Sequence, residues 1–348
     1  MQPVLAGRTA EALAKLADEL GGLEWQAANR ETLCASEIRN GRFEMVVDAS
    51  GPFDPDKTGL ISQCLAGGAA YVDLADNRAF VAGITAINPV QGIAITGASS
   101  TPALSNAAVM ALTSRWQRID RLRVAISPAN RQPRGRAVIE SVLASAGQRF
   151  MFWHQGRWQA GHGWSGLCRI DFPHVGGRWA SRFDAPDHDM LVSAFSPMES
   201  AAFYASLEHP LMHLGLTLLS WLVRARLVRN LRPLAAPLHW LADLLIDYGN
   251  NRGGMIVEAE GLDAEGRPIA RRWWLVADGV AGPHVPVLAT LATLRALAAG
   301  RLSTGAYPCT GFLTLDDFAA DFAKLGIETG IEDFTPTTGG QAHSPARL

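Results

Sequence analysis

The sequence predicts an α/β protein: a doubly wound, largely parallel sheet joined to a second, α+β domain. Three observations carry this. Over the first hundred residues, short apolar runs alternate with helix-patterned stretches, the signature of βαβ units. Near Arg115 the alternation stops and the composition shifts, with nine of the ten tryptophans beyond that point. The chain has 348 residues, 48% apolar and 18% charged, enough for about two domains with cores of their own.

In chain order, Pro3–Ala6 reads as a strand closed by Gly7-Arg8. Thr9-Ala10-Glu11 opens a helix to about Leu20, with Leu13, Leu16, Ala17 and Leu20 at helical spacing, and Gly21-Gly22 stops it. Leu23–Ala27 reads as a strand and Glu31–Ile38 as a short helix. Met45–Ala49 is a strand of the buried type, Lys57–Leu65 a helix, and Ala70–Leu74 and Gly92–Thr96 are strands. Pro102 suits the first position of the next helix.

In the second domain, Arg121–Ser127 reads as a strand and Ala137–Ala146 as a helix. Residues 149–183 carry short β-like runs, and residues 200–247 read as helical and apolar. Met255–Gly261 and Ile269–Val276 flank Asp263-Ala264-Glu265-Gly266, the clearest hairpin of the chain. A helix follows Pro286, and Thr314 with Asp317 resembles a capping box ahead of Phe318–Leu325. The expected units are 1–122, the alternating α/β domain; 123–308, the second, α+β domain; 309–334, a segment packing back; and 335–348, a disordered tail.

Composition excludes several functions. The net charge of −2 argues against a nucleic-acid binder. Arginine supplies 28 of the 31 basic residues, a bias of genome composition. Cys34, Cys64, Cys168 and Cys309 form no C-x-x-C pair, so neither a cysteine zinc site nor a redox pair is expected. Sparse cysteines and no visible secretory signal lead to the expectation of a cytoplasmic protein. The most apolar stretch, Leu211–Val223, is shorter than the ~20 residues that cross a bilayer.

The richest chemistry lies at the ends of the early strands. Ligands of open α/β sheets bind at strand carboxyl ends. An arginine after a strand there can pair with a ribose 2′-phosphate, because its planar fork donates two hydrogen bonds; as a lone feature it is more often a surface residue. Gly7-Arg8 fits the first description. Val46–Phe53, Tyr71–Asp76 and Thr96–Pro102 are three further strand ends with small-residue turns, where a ligand can approach the backbone.

The series AGRT, VVDASGPF, YVDLADNRAFV and ITGASSTPALSNAAV resembles the saccharopine dehydrogenase-like family of NAD(P)-binding oxidoreductases. The likeness continues through ISPANRQPRGRAVIESVLASAG, the Trp-rich segment 152–183, RGGMIVEAEG and PCTGFLTLDDFAADFAKLGI, covering roughly residues 4–327. The resemblance implies a Rossmann-like parallel sheet with a second α+β domain closing over the nicotinamide, NADP or NAD as cofactor, and hydride transfer to or from a carbonyl or imine carbon of a small molecule. By the same resemblance, Gly7, Arg8 and Thr9 hold the adenosine side and its 2′-phosphate. Ser50, Gly51 and Phe53 line the next strand end, and Asp73, Ala75, Ser99 and Ser100 lie towards nicotinamide and substrate. No catalytic acid is singled out; Asp73 and Ser100 are candidates by position alone, and His162, His188 and His284 are further proton donors that no spacing distinguishes.

One departure from the family pattern matters. The family begins with another strand, a G-x-G-x-x-G turn and a helix, whereas this sequence starts at the equivalent of the second strand. The expected sheet is thus N-terminally incomplete: either the start is truncated, or normal cofactor binding has been lost, and binding by the chain as given is expected to be weak or absent. A central strand cannot be omitted without unpaired backbone on both neighbours, unless those close up. A non-catalytic relative that binds a partner or a membrane surface is the alternative. Gly161–Gly166 matches G-x-G-x-x-G by letter, but a strand rather than a helix should follow, so it is rejected as a nucleotide turn.

His209 and His213 have the i,i+4 spacing of a zinc pair, but Pro210 intervenes and no H-E-x-x-H is present; incidental histidines and no metal are expected. The basic run from Arg115 to Arg136 reads as a solvated face, with an anion site at Gly135 as the alternative. Apolar Leu211–Val223, the arginines that follow it and Leu238–Ile246 are expected to pack between domains or subunits, as in a homodimer, rather than on a membrane.

Overall fold

The structure is a computed structural model and describes residues 2–87, 91–131 and 136–335. The first module contains β1 (Val4–Gly7), α1 (Ala10–Glu19), β2 (Glu24–Ala27), α2 (Ala35–Asn40), β3 (Met45–Asp48), α3 (Gly59–Gly67), β4 (Ala70–Asp73), α4 (Arg78–Gly83), β5 (Ile93–Thr96) and α5 (Ser105–Thr113). All its strand pairs are parallel, as the alternation requires. Tyr71 and Val72 of β4 are fully buried, the mark of a parallel strand covered on both faces. Ile38, Ile61, Phe80 and Ile84 form the core on one side of this sheet.

The second module contains β6 (Arg118–Ser127), α6 (Arg136–Ser145), β7 (Arg149–His154), β8 (Arg157–His162), β9 (Ser165–Phe172), β10 (Gly176–Arg182), α7 (Asp187–Phe195), β11 (Ser200–Ser206), α8 (Pro210–Arg224), α9 (Ala235–Leu244), β12 (Gly253–Leu262), β13 (Pro268–Ala277) and α10 (Val285–Ala298). The chain ends with β14 (Gly305–Pro308), α11 (Asp316–Leu325) and β15 (Glu328–Asp333). The large mixed sheet runs β15-β13-β12-β6-β11-β10-β9, with the β7–β8 hairpin joined to β11. The β12–β13 hairpin forms as its turn residues predict, and Thr314 donates from backbone N (2.8 Å) and Oγ1 (3.1 Å) to Asp317 Oδ2 at the start of α11.

The two modules share one core. Leu104, just before α5, Leu112 of α5, Leu288 of α10 and Phe318 of α11 share one cluster with Val124, Val257 and Trp273 of the large sheet.

Several expectations need correction. The expected boundary at 122/123 falls inside β6, which lies wholly in the large sheet. β14, expected in the second domain, extends the first sheet beside β5, Gly305 opposite Ile93 through Pro308 opposite Thr96. Within 309–334, β15 joins the large sheet through β13. Within 200–247, β11 is a strand, because alternate burial of Ala201 and Phe203 in the sheet overrides the apolar run. α2 starts at Ala35, four residues later than expected, where Cys34 N donates to Glu37 Oε2 in a 2.9 Å capping hydrogen bond. Residues 336–348 and Gly135, with the tail and anion-site expectations attached to them, lie outside the described residues.

The parallel sheet is divided. β1 pairs with β2 only, while β3, β4, β5 and β14 form a separate four-stranded sheet. Among the described residues no strand stands between β1 and β3, and these two have not closed up into a shared ladder. Val47 of β3 is 41% exposed, as befits a strand with one open side.

Candidate functional site

The carboxyl ends of β3, β4 and β5 are tied together by buried carboxylates. Asp48, the last residue of β3, accepts at Oδ1 from Ser50 N (2.9 Å) and Ser50 Oγ (2.6 Å), and at Oδ2 from the Tyr71 hydroxyl (3.1 Å). Arg30, three residues past β2, reaches the same carboxylate (Nε to Oδ2, 3.0 Å). Its two Nη atoms donate to the carbonyls of Ser50 (3.1 Å) and Lys57 (3.2 Å), and its guanidinium lies 5.1 Å from the centre of the Phe53 ring. Arg30 thereby ties the loop after β2 to the end of β3 across the divided sheet.

Asp73 ends β4 and organises the next turn. Its Oδ1 accepts from Ala75 N (2.9 Å), Gly97 N (2.8 Å) and Thr96 Oγ1 (2.8 Å). Its Oδ2 is buried without a hydrogen-bond partner. Burial pushes the Asp73 carboxyl up to about 6, against the pull of those three donors. Burial likewise pushes the Tyr71 phenol up, helped by the nearby charges of Asp73 and Asp48. Thr290 of α10 donates to the Ala98 carbonyl (2.7 Å), and Gly311 N donates to Asn106 Oδ1 (3.0 Å), so the β5 turn is held from the far end of the chain.

The predicted site residues fall into two groups. Ser50, Phe53, Asp73, Ala75, Ser99 and Ser100 sit on the three adjacent strand ends. Phe53, Asp73, Ala75 and Ser99 are buried there, Ser50 and Gly51 exposed. Gly7, Arg8 and Thr9 end β1 in the two-stranded sheet. Arg8 is exposed, and among the described residues its guanidinium has neither ion pair nor hydrogen bond. Gly7 packs closely on α1, where a Cβ would sit 3.3 Å from Leu13 Cδ2.

Sequence reasoning missed Arg30, Thr96 and Arg78. Arg30 carries a faint signal, as an arginine shortly after a strand like Arg8. Arg78 carries none: its partners Asp184 and Asp189 lie more than a hundred residues away.

The weaker motifs resolve into packing. Gly161–Gly166 spans the β8–β9 turn and is followed by a strand. His213 is buried; its Nδ1 accepts from Leu207 N (3.2 Å), which leaves Nε2 to donate to Ser181 Oγ (3.0 Å). His188 is buried in α7 with Nε2 donating to the Phe183 carbonyl (3.0 Å). Burial holds both imidazoles down at about 4, so they are neutral at pH 7. His162 lies on β8, away from the strand ends, and His284 precedes α10.

In solved structures the architecture recurs in apo saccharopine dehydrogenase (L-Glu forming) from Saccharomyces cerevisiae. The TM-score is 0.63 at 11% identity, over 95% of this chain and 94% of that one. This chain has the saccharopine dehydrogenase fold. GenD2 from gentamicin A biosynthesis, solved with NAD, aligns over 95% of this chain and 88% of its own at a TM-score of 0.37 and 11% identity. The MviM dehydrogenase from Clostridium difficile gives 0.32 at 10% identity, over 79% and 71%. Those two scores are too low to add to the argument. No family profile and no curated protein sequence matches the chain.

A nicotinamide dinucleotide, which this fold suggests, fits part of the site. Arg8, Thr9 and the first turn of α1 offer an unpaired cation, a hydroxyl that makes no cap bond and free N–H groups, a set suited to a phosphate. Ala75, Gly97 and Ser99 leave little side-chain bulk at the β4 and β5 ends. Among the described residues, the glycine-rich turn leading into a helix that would hold the pyrophosphate, the middle of a dinucleotide, is not present.

Proposed function

We propose that this chain is an NADP(H)-linked oxidoreductase that passes a hydride between the nicotinamide and a carbonyl or imine carbon. The observation that carries the reading is Arg8, an exposed and unpaired guanidinium at the end of β1 in a chain with the saccharopine dehydrogenase fold. Bound there, the cofactor would supply the hydride chemistry. Arg8 and Thr9 would hold the 2′-phosphate, and Ser50, Gly51 and Phe53 would border the adjoining strand end. Asp73, Ala75, Ser99 and Ser100 would face the nicotinamide and a small-molecule substrate. The neighbour's name, a dehydrogenase, agrees with the reading.

The test is a fluorescence titration with NADPH and with NADH. NADPH should bind about tenfold more tightly, since a charge-assisted contact contributes roughly 1.5 kcal/mol or more. Arg8→Ala should erase the difference. Equal binding of both, unchanged by the substitution, would remove the NADP assignment. The divided sheet favours a second reading, a non-catalytic relative; saturable binding of neither dinucleotide would overturn the NADP(H) reading for this chain and is what the second reading expects.

A further inference from the structure

The outer face of α8 is apolar and uncovered. At 100° per residue, Leu211, Leu214, Leu218, Trp221 and Leu222 fall within one arc of about 100°. All five are exposed, Leu218 to 70% and Trp221 to 49%. His213, Leu216, Ser220 and Val223 lie on the opposite side and are buried. A helix apolar on both sides is ordinarily enclosed. The segment beyond continues the surface, with Leu227 at 73%, Trp240 at 66% and Tyr248 at 77%. Eleven of the 23 exposed large apolar side chains among the described residues fall between 211 and 248. Scattered exposed apolar residues are normal, whereas such clustering marks a contact surface. Within this single chain, the outer side of the stretch is thus left uncovered.

A second feature adjoins this face. Where α8 ends, a cavity of about 520 Å³ is lined by Arg149, His162, Arg224, Arg226 and Arg229, with no acidic residue in its wall. None of those four arginines has an ion pair among the described residues; Arg224 stacks on Trp221, 4.5 Å from a ring centre. Burial, then Arg224 and Arg149, hold the His162 imidazole below its usual range. The carboxylates of the neighbouring helical segment are Asp243, which pairs with His239 (2.9 Å), and Asp247. The net charge of the whole chain is −2, so the positive patch is local.

We infer that this face docks on an anionic phospholipid bilayer, with the leucines and Trp221 entering the headgroup boundary and the arginine-lined cavity receiving a lipid phosphate. Leucine and tryptophan beside arginine are the composition of a helix lying in the interface. The guanidinium fork matches phosphate. No described helix is long and apolar enough to cross a membrane, so the contact would be with the surface. A second copy is the poorer occupant, because the surface carries Arg224, Arg226, Arg229 and Arg232 against only Asp243, already paired with His239, and Asp247, too few carboxylates to be self-complementary.

The test is co-sedimentation of the full chain with vesicles of phosphatidylcholine alone and of phosphatidylcholine mixed with phosphatidylserine. Binding to the mixed vesicles should be several-fold greater and should fall at high salt. Leu218→Asp with Trp221→Asp, and separately Arg226→Glu with Arg229→Glu, should each cut it about tenfold. All four side chains are exposed, so unchanged circular-dichroism melts confirm that the variants fold. No binding of wild-type protein to the mixed vesicles overturns the inference, even if inorganic phosphate binds the cavity. Binding that neither variant weakens overturns it too. A concentration-dependent dimer abolished by Leu218→Asp would assign the face to a second copy instead. None of these outcomes depends on dinucleotide binding.

Discussion

Arg78 and Asp189 form a two-pronged ion pair: Nε donates to Oδ2 at 2.6 Å and Nη2 to Oδ1 at 2.5 Å. Arg78 begins α4 of the first module, and Asp189 lies in α7 of the second. The remaining Nη1 donates to Asp184 Oδ1 (3.0 Å) and to the Met151 carbonyl (2.5 Å). One side chain thus links the β4 end of the candidate site to three segments of the other module.

Arg78→Ala should therefore leave two acidic residues half-buried without their cation. A loss of about 2 kcal/mol is expected, which lowers Tm by roughly 3 °C in a chain of this size. Arg78→Lys should recover less than half, because an ammonium cannot span both carboxylate oxygens. Differential scanning calorimetry measures both; a wild-type melt for Arg78→Ala would show that the shared core alone joins the modules.

The pH dependence of stability rests on four buried groups that offset one another. Burial pushes Asp187 up to about 7 and Asp73 up to about 6, so their share of stability is complete below pH 3.8 and is lost as pH rises through those values. His188 and His213, held at about 4, act oppositely: their share is complete above pH 6.5 and is lost as pH falls through 4. At pH 5 the folded chain keeps both aspartate protons and neither histidine proton, and the unfolded chain does the reverse. The counts match, and these groups leave stability level with pH. Asp187→Asn should break the balance, so that stability rises by about 1.4 kcal/mol per pH unit near pH 5. His213→Gln should give the opposite slope. Urea melts at pH 4.5, 5.5 and 6.5 decide, and parallel pH profiles for wild type and both variants would refute the assignment.

The turn after β5 demands glycine at position 97. Gly97 has φ +75, and a Cβ there would sit 2.8 Å from Pro102 Cδ. Its N–H also serves Asp73. Gly97→Ala should cost about 2 kcal/mol and shift Ser99 and Ser100. Denaturant unfolding measures the first effect, and weakened NADPH binding reports the second if those serines face the nicotinamide. An unchanged midpoint would show that the turn relaxes freely.

Much of the local structure was legible in the sequence. The strands of the first module, the β12–β13 hairpin and the Thr314–Asp317 cap rest on patterns within a few residues of each other. The strand ends followed from them, and with them Ser50, Asp73, Ala75 and Ser99. The division of the sheet was also legible, since the strand that would join β1 to β3 is not in the pattern. What could not be read was which side chains hold those ends together. Arg30 and Asp48 are joined across two strands, and Thr290 meets Ala98 from 192 residues away.

The sequence by itself determined the alternation of elements and the type of chemistry at each turn, because periodicity and turn residues act locally. Tertiary structure decided that Gly305–Pro308 completes the first sheet beside β5, that Arg78 clasps Asp189, and that one face of α8 stays open. Those outcomes depend on which surfaces meet, and burial removes water only where two distant segments fit. Apolar Leu218 and apolar Leu216 read alike in the sequence; only the packed chain sends one outward and the other into the core.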